Sequence, residues 1–199
     1  MTTVVLFHSV LGIRQGERDA AERLRADGHA VLLPDLFQGR VFDTYEPAMA
    51  WSDSVGIEQL FQRGLAAVTD LPDGFVVGGF SQGSSIACYV ATRRKVSGVL
   101  QLSGLNVLEW FGAGAAWPDG VPSQCHQTVG DRFRENEITQ QASQDVTGAG
   151  GELELFDYPG NGHLFTDPTL PEEYDPEATE LLWSRVLPFV RACGAVATG

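Results

Sequence analysis

The segment Gly79-Phe80-Ser81-Gln82-Gly83 restricts the local fold more than any other stretch of the sequence. It follows an apolar run over 74–80 typical of a buried strand, and it opens a run of small and apolar residues over 82–92 that suits a buried helix. The flanking glycines allow a sharp turn, because a Cβ at either position would collide with the neighbouring strand or helix. The segment therefore predicts a strand-turn-helix unit that exposes the hydroxyl of Ser81.

Apolar runs typical of buried parallel strands alternate with helical segments along the rest of the chain. This alternation predicts an α/β fold with a mostly parallel sheet of about six strands, right-handed crossovers and helices on both faces. The predicted strands cover 3–8, 30–33, 74–80, 96–102, 124–129 and 153–158, and the predicted helices cover 17–27, 53–69, 82–92, 138–146 and a last segment that begins at Pro176.

Two long segments, 37–54 and 104–122, show neither a helical nor a strand period and are predicted to be irregular. Pro188 is expected to kink or end the last helix, because proline removes a backbone donor from the helix interior. At 199 residues the chain is long enough for one well-buried domain and short for two. We therefore expect a single domain over 1–199.

The composition excludes several classes of protein. The net charge of −13 disfavours binding to the phosphates of nucleic acids, so we expect no nucleic-acid partner. No apolar run reaches the length of a membrane span, and the first residues lead straight into a short apolar strand, so we expect a cytoplasmic protein without a membrane partner. The three cysteines, Cys88, Cys125 and Cys193, lie far apart within apolar segments and are interpreted as core residues.

Three polar residues follow predicted strands in the order Ser81, Asp131, His163. The carboxyl ends of parallel strands share one edge of a sheet, and functional groups collect there. A serine hydroxyl needs an imidazole to take its proton, and the imidazole needs a carboxylate on its other nitrogen. The order is that of the nucleophile-elbow hydrolases, so we predict a catalytic triad.

Each member of this triad also has a simpler interpretation when taken alone. The serine could be a turn residue, Asp131 could cap the following helix, and His163 could hydrogen-bond a loop carbonyl. Asp157 is the nearest rival to Asp131, but it lies inside the last predicted strand. His8 ends the first strand and is interpreted as a structural residue of the turn.

Two backbone N–H groups are expected to stabilise an oxyanion formed at Ser81. Gln82 opens the helix after the nucleophile, so its N–H has no acceptor within that helix. The second donor should come from the loop after the first strand, where Val10 is the first choice and Leu11 the alternative.

The substrate pocket is predicted from the segments that surround this edge of the sheet. Ordinary packing beneath the long loops is the alternative interpretation of its aromatic members. The predicted pocket residues are Ser9, Leu11, Trp51, Trp110, Trp117 and Phe165. The sequence lacks HExxH, CxxC and phosphate-binding glycine motifs, so we expect no metal and no cofactor.

Several motifs together resemble the dienelactone hydrolase family of α/β hydrolases over nearly the whole chain. The resemblance implies a compact α/β-hydrolase fold without a large cap domain, and it implies that Ser81 is the nucleophile, Asp131 the acid and His163 the base. The motifs are His8-Ser9-Val10-Leu11-Gly12, Pro34-Asp35-Leu36-Phe37, Gly79-Phe80-Ser81-Gln82-Gly83, Trp117-Pro118-Asp119-Gly120-Val121-Pro122 and Tyr158-Pro159-Gly160-Asn161-Gly162-His163-Leu164-Phe165.

Three positions depart from the pattern of the namesake enzymes. Ser81 stands where they have a cysteine nucleophile, and Ser9 stands where they have a glutamate. Asp167, four residues after the predicted base, stands where they have an arginine that binds the substrate carboxylate. An acidic group there is expected to repel an anionic lactone, which favours a neutral substrate.

The sequence therefore predicts a carboxylesterase-like serine hydrolase that cleaves a small neutral ester or lactone through an acyl-enzyme on Ser81. A thioesterase or a lysophospholipase would use the same residues. A non-catalytic relative that binds a small ligand is the alternative from another class. The chain is expected to be a monomer or a small homo-oligomer.

Overall fold

The computed structural model describes residues 1–196, which form a six-stranded sheet in the order β2-β1-β3-β4-β5-β6. Neighbouring strands pair in parallel throughout the sheet. The strands are β1 Thr3–Phe7, β2 Ala30–Leu32, β3 Phe75–Phe80, β4 Val96–Leu102, β5 Ser123–Thr128 and β6 Leu153–Tyr158, and the helices are α1 Gln15–Ala26, α2 Tyr45–Val55, α3 Ile57–Ala67, α4 Gln82–Ala91, α5 Thr139–Gly148 and α6 Pro176–Val196.

Helices cover both faces of the sheet. Successive side chains of each strand point to opposite faces, so the two faces have separate cores. Val4 and Leu6 of β1 belong to a core shared with α1 and α6. Val5 and Phe7 belong to a second core shared with α3, α4 and α5. This is the α/β architecture, with a parallel sheet of six strands between helices, that the alternating pattern predicts.

The segment 37–54 differs from its prediction as a wholly irregular region, since it contains α2. Pro47 falls in the first turn of this helix, where the missing N–H has no intrahelical acceptor to lose. Only Ala48 and Ser52 of α2 are buried, so the helix shows no apolar period. In the segment 104–122, a single short 3₁₀ helix, Leu108–Phe111, interrupts the predicted irregular backbone.

Of the two outcomes expected at Pro188, a kink or an end of the last helix, the structure excludes the end, because α6 continues to Val196. Beyond the proline, Val190 and Cys193 are buried against the sheet. Their burial offsets the hydrogen bond that the proline removes. Within the described residues, no helix combines the length and the apolarity needed to cross a bilayer.

Candidate active site

Ser81 occupies a strained turn between β3 and α4, with φ at 53° and ψ at −116°. A Cβ on Gly79 would lie 2.2 Å from the backbone oxygen of Gly83, and a Cβ on Gly83 would lie 2.3 Å from the backbone oxygen of Phe7. Both flanking positions are therefore restricted to glycine by close backbone packing. The turn holds the serine at the carboxyl edge of the sheet, as the sequence predicts.

Ser81, Asp131 and His163 come together at this edge in one hydrogen-bonded chain. His163 Nδ1 lies 2.6 Å from Asp131 Oδ2, and His163 Nε2 lies 2.7 Å from Ser81 Oγ. An ionised carboxylate only accepts hydrogen bonds, so Nδ1–H donates to Asp131 and the serine hydroxyl donates to Nε2. The other carboxylate oxygen of Asp131 accepts the N–H of Phe133 at 2.8 Å, which fixes its orientation.

Two aromatic side chains that sequence reasoning missed enclose His163. The ring of Phe133 lies 4.7 Å from the imidazole and that of Tyr45 lies 5.9 Å from it. The Tyr45 hydroxyl donates to Glu173 at 2.8 Å. Burial, together with the adjacent Glu173 carboxylate, raises the pKa of the Tyr45 phenol, so this group stays protonated. Its signal was weak in the sequence, because Tyr45 lies in the helix that showed no apolar period.

The predicted oxyanion donors lie beside the serine. Gln82 is the first residue of α4, and both Gln82 and Val10 line the cavity that contains Ser81. The alternative donor, the N–H of Leu11, is engaged by Ser9 Oγ at 3.3 Å, and Leu11 is fully buried. The geometry thus favours Val10 over Leu11 as the second donor.

A buried glutamate, which the sequence reasoning did not single out, holds the loop that contains Val10. Glu17 Oε1 accepts the N–H of Ser9 at 3.1 Å, and Oε2 accepts the N–H of Arg14 at 2.9 Å. Burial raises the pKa of the Glu17 carboxyl, against the effect of these two hydrogen bonds. The side chain thereby fixes both ends of the turn after β1.

A cavity of about 360 Å³ opens above Ser81. Its lining contains two carboxylates, Asp53 and Glu135, and neither lysine nor arginine. Large apolar side chains that are unusually exposed form its rim, namely Met49, Ile57, Trp110 and Phe133. The cavity therefore suits an uncharged molecule with an apolar part.

Of the six predicted pocket residues, only Trp110 lines this cavity. Trp117 is a core residue whose indole donates to the backbone oxygen of Val121 at 2.8 Å, and Phe165 packs against Tyr158 in the core. Trp51 packs against Phe37, with ring centroids 4.4 Å apart. Packing beneath loops is thus the correct interpretation of these three rings.

Ser9 and Leu11 also fail to line the cavity, because both are fully buried in the turn after β1. The Ser9 hydroxyl accepts a hydrogen bond within that turn. Ser9 and Leu11 therefore shape the loop that carries Val10.

The expectation that Asp167 faces the substrate is wrong. Asp167 is only 3% exposed and does not line the cavity. Its carboxylate pairs with Arg14, whose Nε lies 2.9 Å from Asp167 Oδ2. Asp167 therefore provides no argument for or against a charged substrate.

His8 and Asp157, the other polar residues considered for the triad, have partners elsewhere in the fold. His8 Nε2 accepts the N–H of Leu36 at 3.1 Å, and Asp157 forms an ion pair with Arg134 at 2.7 Å. The three cysteines are free and buried. Among the residues that the structure describes, no cluster of three histidine, cysteine or acidic side chains could hold a metal ion.

Comparisons with known proteins agree with this architecture. The family model described as "Dienelactone hydrolase family" matches residues 1–194. No curated protein is similar enough in sequence to match.

Three solved structures with a similar fold are each less than 25% identical in sequence to this chain. A dienelactone hydrolase-like promiscuous phosphotriesterase, P91, from metagenomic libraries has a TM-score of 0.79 at 19% identity, over 97% of this chain and 87% of that one. A phospholipase/carboxylesterase from Dyadobacter fermentans has a TM-score of 0.66 at 17% identity, over 94% of this chain and 90% of that one. A dienelactone hydrolase from Anabaena variabilis has a TM-score of 0.64 at 20% identity, over 94% of this chain and 84% of that one.

Proposed function

The chain belongs to the dienelactone hydrolase family and is a carboxylic ester hydrolase, and we propose that it cleaves neutral esters or lactones through an acyl-enzyme on Ser81. The observation that carries this proposal is the hydrogen-bonded chain from Asp131 through His163 to Ser81, with contacts of 2.6 and 2.7 Å. Those distances lie within the range over which a base can take the proton of a nucleophile.

In the first half of the reaction, Ser81 Oγ attacks the ester carbonyl and its proton passes to His163 Nε2. Asp131 stabilises the resulting imidazolium through Nδ1–H. The N–H groups of Gln82 and Val10 donate to the oxyanion. The C–O bond to the alcohol then breaks, the imidazolium protonates the leaving oxygen, and the acyl group stays on Ser81.

In the second half, water attacks the acyl-enzyme while His163 takes one of its protons. Collapse of the second oxyanion breaks the bond to Ser81 Oγ, which recovers its proton from the imidazolium. The products are a carboxylic acid and an alcohol, and no cofactor is consumed.

The lining of the cavity supports an uncharged substrate. A substrate carboxylate would meet Asp53 and Glu135 at the mouth and would find no cationic partner in the lining. The exposed rim formed by Met49, Ile57, Trp110 and Phe133 offers apolar contact to the acyl or alcohol part. One relative of the same fold is described as a promiscuous phosphotriesterase, and phosphotriesters are also uncharged esters.

Hydrolysis of 4-nitrophenyl butyrate by the purified protein tests the proposal. Ser81→Ala and His163→Ala should each lower kcat by a factor on the order of 10⁶, as in dissected serine proteases. Ser184→Ala, which changes an exposed serine of α6, is the matched control and should leave the rate unchanged. Turnover by Ser81→Ala at the wild-type rate would refute the proposed nucleophile.

A further inference from the structure

Two polar side chains in the cavity are almost fully buried and still lack a complete set of hydrogen bonds. Ser103, directly after β4, is 3% exposed, and Gln127 of β5 is 7% exposed. Both line the same cavity as Ser81 and His163. A nearly buried polar side chain in the wall of a cavity, with an atom that has no partner within the protein, is able to bind a ligand there.

The two residues are neighbours at the carboxyl edge of the sheet. Leu102 pairs with His126 in the register of β4 and β5, and the N–H of Ser103 donates to the backbone oxygen of His126 at 2.8 Å. The next position on β5 is Gln127. Ser103 and Gln127 therefore lie side by side at the ends of adjacent strands.

The free atoms are the hydroxyl of Ser103 and the amide oxygen of Gln127. Gln127 Nε2 donates to Cys125 Sγ at 3.1 Å, which directs the amide. Within residues 1–196, neither Ser103 Oγ nor Gln127 Oε1 has a hydrogen-bond partner. Of the described side-chain nitrogens and oxygens, only His29 Nδ1 is both completely buried and without a partner, so the two oxygens are not completely buried. The two oxygens thus keep contact with the space inside the cavity.

The neighbouring Asn106 shows the contrast with a saturated side chain. Its amide accepts from Ser85 Oγ at 2.6 Å and donates to Ser84 Oγ at 2.9 Å and to Gln101 Oε1 at 3.1 Å. Asn106 therefore has a structural role in holding the loop after β4, whereas Ser103 and Gln127 are nearly buried side chains of the cavity that each keep an oxygen without a partner.

The backbone at Ser103 has a conformation that is unusual for a serine. Its φ of 57° lies in the left-handed region, which non-glycine residues seldom adopt, and Ser81 is another such residue in this cavity. Strain of this kind persists where the surrounding structure holds it and is concentrated at binding and catalytic sites.

We propose that Ser103 and Gln127 form a polar subsite that binds an uncharged hydrogen-bond donor of the substrate, namely a hydroxyl or an amide N–H. An amide oxygen only accepts hydrogen bonds, so the bound group must bring a hydrogen to Gln127, while the Ser103 hydroxyl can either donate or accept. The inference rests on the proposed esterase function and narrows its substrates to esters with a hydroxyl or amide substituent.

Two matched pairs of esters test this subsite. One pair differs by a hydroxyl on the acyl part, 4-nitrophenyl butyrate against 4-nitrophenyl 3-hydroxybutyrate. The other differs by a hydroxyl on the alcohol part, ethyl butyrate against 2-hydroxyethyl butyrate. The wild type should favour the hydroxylated member of at least one pair by about tenfold in kcat/KM, the usual effect of one hydrogen bond.

The variants Ser103→Ala and Gln127→Met should each reduce that preference while hydrolysis of the plain ester continues. Ser97→Ala, which changes a serine at the opposite end of β4, is the control and should keep the preference. Equal rates within both pairs, or a preference that survives in both variants, would overturn the subsite. A wild type that neither hydrolyses the plain ester nor reacts at Ser81 with a fluorophosphonate probe would instead refute the proposed function, so the two failures are distinguishable.

Discussion

Arg14 Nε lies 2.9 Å from Asp167 Oδ2, and this ion pair joins the loop after β1 to the loop after His163. Both side chains are buried, with 9% and 4% of their surfaces exposed. Arg14 also donates to the backbone oxygen of Phe42 at 2.8 Å. The segment that contains the Val10 N–H is thereby fixed to the segment that contains His163, the proposed base.

Removal of Arg14 tests the importance of this pair. Arg14→Met leaves the carboxylate of Asp167 buried without its partner, which should cost about 3–5 kcal/mol of unfolding free energy. The double variant Arg14→Met/Asp167→Asn removes the uncompensated charge and should recover part of that loss. Thermal and urea unfolding measure both changes.

The exposed pair between Arg23 and Glu180 provides a control for that experiment. Arg23→Met should change stability far less, because solvent screens exposed ion pairs. Equal losses for Arg14→Met and Arg23→Met would contradict the role of the buried pair.

Replacement of Glu17 should affect turnover more than substrate binding. Glu17→Ala removes the acceptor of the Ser9 and Arg14 N–H groups and loosens the turn that presents Val10. Loss of one oxyanion donor lowers kcat by about 10²–10³, so we expect a loss of up to that size with little change in KM. Glu17→Gln, which keeps one acceptor, should be intermediate. Unchanged kcat in a stably folded Glu17→Ala would contradict this role.

The turn at Ser81 should not tolerate a side chain at Gly83. A Cβ there would lie 2.3 Å from the backbone oxygen of Phe7 and 2.6 Å from that of His8. Overpacking of this kind should cost Gly83→Ala about 1–3 kcal/mol. Gly148→Ala, whose Cβ would meet no atom within 4 Å, is the matched control and should be neutral or slightly stabilising. Urea unfolding that gives equal midpoints for the two variants would refute the argument.

His126 should make the protein less stable in acid. Burial, together with the nearby Arg185, lowers the pKa of His126 from 6.5 to about 3. Below about pH 6.5 the imidazole of His126 binds a proton in the unfolded chain but stays neutral in the folded chain. The free energy of unfolding therefore falls as the pH decreases from 6.5 towards 3. At pH 4.5, two pH units below the ordinary pKa, the loss of unfolding free energy amounts to about 3 kcal/mol. In His126→Gln, the free energy of unfolding measured with urea should change less between pH 7 and 4.5 than in the wild type. An equal change in both proteins would contradict the role of His126 in acid sensitivity.

The sequence predicted the sheet well, and it placed Ser81, Asp131 and His163 after strands, because both inferences depend on local patterns. The bounds predicted for β4 and β6 match those of the structure. Ser81, Asp131 and His163 each follow a strand, and parallel strands bring their carboxyl ends together whatever the details of packing.

The lining of the cavity could not be predicted in the same way. Whether Trp117 enters the core or the cavity depends on how a loop folds over α4, for which the sequence has no period. The pairing of Asp167 with Arg14 joins residues 153 positions apart, and no local signal marks it. The helix over 45–55 was missed because it buries so few apolar side chains.

The most direct test of the account is covalent labelling with a fluorophosphonate probe, followed by mass spectrometry of the digested protein. The account predicts one adduct in the wild type, on the peptide that contains Ser81, no adduct in Ser81→Ala, and greatly slowed labelling in His163→Ala. A wild type that does not react, or an adduct that persists in Ser81→Ala, would contradict the assignment of Ser81 as the nucleophile.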